Sequence, residues 1–73
     1  SAPPDAYLCP ITKQLMIDPV CTADGHTFER AAIERWLAQR HTSPLTGLRL
    51  PSAQLTPNLL MRSLLRELEA ASK

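Results

Sequence analysis

The chain has 73 residues, with eight Lys plus Arg against seven Asp plus Glu, a net charge of +1 and seven prolines. That length supports one small domain, and a core of this size leaves only about 3–5 kcal/mol of net stability unless a metal, a disulfide or a polar staple assists. The balanced charge argues against nucleic acid, which needs a clustered basic face, and no apolar run approaches the roughly 18 residues of a membrane span.

Residues 1–5, opening with Ser1-Ala2-Pro3-Pro4, read as linker, and the domain is expected over residues 6–73. From Tyr7 to Val20 the chain reads as irregular, because Pro10 and Pro19 cannot donate to a ladder and bias their predecessors toward extended backbone. Leu8, Ile11, Leu15, Met16 and Val20 are its apolar anchors. Pro19 to Thr22 and His26 to Phe28 read as the strands of a hairpin turned at Ala23-Asp24-Gly25, since Asp-Gly is a strong short hairpin signal. A central helix is expected over residues 29–40, with Ile33, Trp36 and Leu37 at helical spacing. Thr27 is its expected cap, and Glu29 suits the positive end of its dipole. Leu48-Arg49-Leu50 is a candidate third strand, and Leu55 is the one burial candidate in the connector that follows. The last helix is expected to enter through Thr56-Pro57-Asn58 and to carry a stripe of Leu60, Met61, Leu64, Leu65 and Leu68. The fold class is therefore a small α+β domain: two loops, a β-hairpin, a central helix and a C-terminal helix.

Two cysteines, Cys9 and Cys21, could form one disulfide. Small secreted domains usually carry more than one bridge, so reduced thiols in an intracellular setting, cytoplasmic or nuclear, are expected. Zinc is a further possibility for Cys9, Cys21, His26 and His41. Their spacings of 11, 4 and 14 intervening residues do not match the short ligand pairs of structural zinc sites. No metal and no cofactor is expected.

The runs Cys9-Pro10-Ile11-Thr12, Asp24-Gly25-His26-Thr27-Phe28-Glu29 and Ser43-Pro44-Leu45-Thr46 follow the outline of a RING finger. In a RING finger, Cys and His ligands at such positions hold a pair of zinc ions. The corresponding residues here are Cys9, Thr12, Asp24, His26, Glu29, Ala32, Ser43 and Thr46. Ala32 binds nothing, and hydroxyls are poor ligands for a metal that prefers thiolate and imidazole. With Leu15-Met16-Ile17-Asp18-Pro19-Val20, Ile33-Glu34-Arg35-Trp36-Leu37 and Leu55-Thr56-Pro57-Asn58, the chain resembles a U-box, the zinc-free relative of the RING finger, over nearly its whole length.

The resemblance implies a ubiquitin-protein ligase module that recruits a ubiquitin-charged conjugating enzyme and promotes transfer to substrate lysines, with no covalent intermediate and no catalytic residue of its own. A non-catalytic interaction domain is the alternative. It implies a docking groove with Ile11 as exposed anchor, Lys13 beside it, Trp36 as floor, and Pro44 with Leu45 closing it from the second loop. Composition alone also allows Ile11 and Trp36 as core and Pro44 as a loop stiffener. In place of zinc, Asp24, His26, Ser43 and Thr46 are expected to form one polar cluster and Glu29 with Thr12 another, through charge-assisted hydrogen bonds. Many relatives carry an Arg or another hydrogen-bonding residue three positions after the second-loop proline, to bridge conjugating enzyme and ubiquitin. Here that position is Gly47, with Arg49 two residues on. Substrate is expected to bind outside the domain. The C-terminal stripe fits either the domain's own core or a homodimer.

Overall fold

The computed structural model describes residues 5–71. A short 3-10 turn at Asp5–Tyr7 leads into the first loop, followed by β1 (Pro19–Cys21), β2 (Thr27–Glu29), α1 (Arg30–Leu37), β3 (Thr56–Pro57) and α2 (Leu59–Ala71). The sheet is antiparallel in the order β2-β1-β3, with Val20 opposite both Phe28 and Pro57. Gly25 closes the hairpin with φ +89, donating its N–H to the Thr22 carbonyl at 2.9 Å. Such a backbone is accessible to glycine at little cost.

Cys9, Met16, Val20, Phe28, Ala32 and Ile33 form the buried core, with Ile11, Trp36, Leu37, Leu55, Met61 and Leu65 packed against it. Burial of Met16, Val20, Phe28 and Ile33 contributes about 1.5–3 kcal/mol each. Both cysteines are free thiols. Among the described residues, no helix is long and apolar enough to cross a membrane.

Three expectations about the elements change. The third strand is Thr56–Pro57 rather than Leu48-Arg49-Leu50, where Arg49 makes only an isolated bridge to Thr42 that closes the second loop. Proline is tolerated in β3 because that strand is an edge. The central helix ends at Leu37 rather than residue 40, as the Gln39 and Arg40 N–H groups both turn back to the Trp36 carbonyl. Its N-cap is Glu29 rather than Thr27, and no side chain caps it. The Glu29 carboxylate is occupied elsewhere.

In α2 the inward face is Met61 and Leu65, while Leu60 is 73% exposed. The phase is set by Asn58, whose Oδ1 accepts the Met61 N–H at 3.0 Å. The same residue donates its backbone N–H to the Pro19 carbonyl and its Nδ2 to Thr27 Oγ1, both at 2.9 Å. Asn58 thus caps α2 and fastens it to both strands of the hairpin. Leu15, read as an apolar anchor, is 46% exposed, because its alternation with buried Met16 turns it outward.

Candidate functional site

A shallow groove of about 280 Å³ opens between the first loop and α1, lined by Ile11, Thr12, Ala32, Arg35, Trp36, Gln39 and Arg40. Two long-range constraints and one tight turn shape its first wall. The Lys13 N–H donates to the Cys9 carbonyl at 2.7 Å and the Cys9 N–H to the Gln14 carbonyl at 2.9 Å, closing the turn that presents Ile11 and Thr12. Lys13 takes a left-handed backbone there, with φ +62. A side chain in that region costs about 1–2 kcal/mol, so the closure is held against local strain. Ile11 is half-buried and leans on the core.

The loop is then tied to the start of α1. Glu29 Oε1 and Oε2 accept the Ile17 and Asp18 N–H groups at 2.7 and 2.8 Å. The Glu29 N–H in turn donates to Cys9 Sγ at 3.3 Å. Thr12 takes no part, its Oγ1 accepting the Gln14 N–H at 3.3 Å. The expected Glu29–Thr12 pair is therefore replaced. An ionised carboxylate is better matched to two unpaired backbone donors than to one hydroxyl at an exposed tip.

Trp36 forms the other wall. Its indole Nε1 donates to the Thr42 carbonyl at 2.7 Å, which fixes the ring and anchors the second loop beside it. That loop folds on Ser43, which is 1% exposed and whose Oγ accepts the Leu45 and Thr46 N–H groups at 3.2 and 3.3 Å. The Gly47 N–H returns to the Ser43 carbonyl at 2.9 Å. Thr46 Oγ1 accepts the Leu48 N–H at 3.1 Å. Pro44 is half-buried and Leu45 is 51% exposed on this loop, outside the residues that line the groove. Lys13 is exposed at the first loop, likewise outside the lining.

Asp24 and His26 belong to the hairpin turn. Asp24 accepts from the Thr22 hydroxyl, and this bond, aided by the nearby His26, holds its carboxyl below the usual range. Among the described residues no hydrogen bond joins this turn to Ser43 or Thr46, so the expected single cluster is two local motifs. The reason is reach: each hydroxyl or carboxylate finds a donor two or three residues away before it can span the loops. Among the described residues, no three His, Cys, Asp or Glu side chains lie close enough to share an ion.

Sequence reasoning missed a further fixture. Asp18 accepts from Arg30 Nε at 2.6 Å and from Arg62 Nη2 at 2.7 Å, joining the loop's end to both helices. The Arg30 hydrogen bond, with Arg62 behind it and against partial desolvation, holds the Asp18 carboxyl below its usual range. No periodicity marks such a residue, although an acidic side chain before a buried proline is an available signal. Arg40 was also missed: its guanidinium lies 4.5 Å from the centroid of the Trp36 ring.

The sequence matches the family model described as U-box domain over residues 3–69. The chain belongs to the U-box family. This U-box is 49% identical over 74 residues to the WD repeat, SAM and U-box domain-containing protein 1 of Gallus gallus, covering 99% of this chain and 16% of that protein. The Homo sapiens protein of the same name is 50% identical over 60 residues, covering 81% of this chain and 13% of that protein. E3 ubiquitin-protein ligase SPL11 of Oryza sativa subsp. japonica is 46% identical over 65 residues, covering 88% and 9%. The chain spans less than a fifth of the length of these curated relatives.

Proposed function

We propose that this U-box recruits a ubiquitin-conjugating enzyme charged with ubiquitin and promotes attack of a substrate lysine on the thioester. The lysine ε-amine forms the isopeptide bond and the conjugating enzyme's thiol leaves, with no covalent intermediate on the U-box. The observation that carries this reading is the convergence of Ile11 and Trp36 in one open groove on a U-box chain. An aliphatic knob beside a pinned aromatic suits a small interface with few energetic anchors. The ligase name of the rice relative supports the same reading.

The cysteines support it from the other side. Cys9 is buried with its sulfur accepting the Glu29 N–H, and Cys21 is half-buried 3.5 Å from the Thr27 hydroxyl. Neither has the adjacent base that activates a nucleophilic thiol. The contribution of the domain is then positional, holding a flexible thioester in a reactive geometry. Substrate is held by segments outside this domain, and free thiols suit a reducing cytoplasmic or nuclear setting.

Single-turnover discharge of a ubiquitin-charged conjugating enzyme onto free lysine tests the reading. Acceleration by the native domain is expected, and Ile11→Ala is expected to reduce it by about tenfold or more, as for an interface anchor. Thermal unfolding of the variant separates lost docking from lost folding. Equal acceleration by native and variant domains overturns the groove.

Gly47 favours a second reading, a domain that binds the charged enzyme without strongly activating it. It has φ +75, and a Cβ built there meets nothing within 4 Å. Glycine is thus chosen by the backbone turn that returns to Ser43, and it offers no side chain to bridge enzyme and ubiquitin. Saturable binding of the charged enzyme with no gain in discharge decides for this reading.

A further inference from the structure

The groove carries charge of one sign. Arg35 and Arg40 line it, and Lys13 is exposed two residues after Ile11 in the same loop. Of the carboxylates nearest in the chain, Glu29 accepts two backbone N–H groups and Asp18 takes Arg30 and Arg62, while the exposed Glu34 is not among the residues that line the groove. Among the described residues, neither Arg35 nor Arg40 forms an ion pair with a carboxylate. The negative end of α1 offsets these cations by only about half an elementary charge.

One of the charges is also fixed in place. Arg40 stacks 4.5 Å from the centroid of Trp36, and Trp36 is itself tied to the Thr42 carbonyl. A guanidinium stacked on an indole keeps its N–H edge free to donate to a carboxylate. The groove therefore joins an apolar seat, Ile11 with Trp36, to a positive rim held against the aromatic wall.

Resting on the reading that this groove takes a charged conjugating enzyme, we propose that it selects enzymes presenting Asp or Glu beside their apolar docking side chain. It discriminates against those presenting Lys or Arg there, with Arg35 and Arg40 as the specificity-determining residues. Complementary rim charge raises the encounter rate, and like charge at the rim disfavours the wrong partner.

The test uses two ubiquitin-charged conjugating enzymes that differ only beside the apolar docking side chain, one with Lys and Arg and the other with Glu at those positions. Single-turnover discharge by the native domain is expected to favour the Glu form by about tenfold at low salt, with the gap narrowing as screening rises. Arg35→Glu combined with Arg40→Gln is expected to reverse the preference. Arg35→Glu alone, an exposed change that leaves the Trp36 stack untouched, is expected to move it about threefold in the same direction. The proposal is overturned if the native domain treats both forms alike, or if the charge variants slow both equally while Ile11→Ala abolishes discharge. In that outcome the groove stands and its selectivity does not. Discharge unaffected by Ile11→Ala removes the groove reading and this proposal together.

Discussion

The first loop of this U-box takes its fixing bonds from far along the chain, whereas the second loop supplies its own. Glu29 reaches back 12 and 11 positions to the Ile17 and Asp18 N–H groups, and its own N–H donates to a sulfur 20 positions away. Ser43 accepts from residues only two and three positions on. One loop is thereby coupled to the start of α1, and the other is a turn that closes on its own hydrogen bonds and is tied to α1 by Trp36 at the Thr42 carbonyl. Both occupy places where a RING finger would use zinc. A loop that must be held against another element needs an ionised group with reach, while a loop that closes on itself needs only a hydroxyl.

The sharpest way to break this comparison is Glu29→Ala. It removes the shared acceptor of an exposed and a part-buried backbone donor and uncouples the loop from α1, so urea unfolding should lose about 2 kcal/mol, with Glu29→Gln losing roughly half as much. Ser43→Ala should cost about 1 kcal/mol. Its effect should also stay local, speeding amide exchange at Leu45 and Thr46 without altering Ile17 and Asp18. If the two variants weaken the same amides equally, the loops are not independent and the comparison fails.

Asp18→Asn sharpens the long-range side. The ion pairs are partly solvent-exposed, with side chains 35–37% accessible, so screening limits the loss to about 1 kcal/mol at neutral pH. Its pH dependence has a definite sign. The folded-state pKa of Asp18 is lowered, so its contribution is fully present above the ordinary Asp value, near pH 4. It is lost as pH falls through the depressed folded value. The gap between native and Asp18→Asn unfolding midpoints should therefore be flat from neutral pH down to about pH 4 and close below it. The smallest expected effect is none: excess chelator should leave the thermal midpoint of the native domain unchanged. A drop in midpoint would mean that zinc, not Glu29 and Ser43, holds the loops.

Much of this was legible in the residues. The Asp24-Gly25 turn declares itself because a positive φ calls for glycine, and Ile33, Trp36 and Leu37 mark α1 by their spacing. The convergence of Ile11 and Trp36 was legible from the frame they sit in. The third strand was not, because two residues, Thr56 and Pro57, have no alternation to read and pair only because Asn58 docks on Pro19. The true partners of Glu29 were hidden for a related reason. Backbone N–H groups belong to every residue except proline, so nothing in the letters at 17 and 18 announces that theirs are the ones left unpaired. Arg40 reads as an ordinary solvated cation until the turn after α1 folds it over Trp36.

The C-terminal helix carries a consequence for how the molecule opens. α2 contains no fully buried residue, and its attachments include Asn58, the Asp18–Arg62 bridge and half-buried Met61 and Leu65. Its thirteen residues can therefore lift away as a cooperative unit while Val20, Phe28 and Ile33 stay packed. Hydrogen exchange along this chain should then fall into two tiers, an early one confined to α2 and a late one shared by the hairpin and α1.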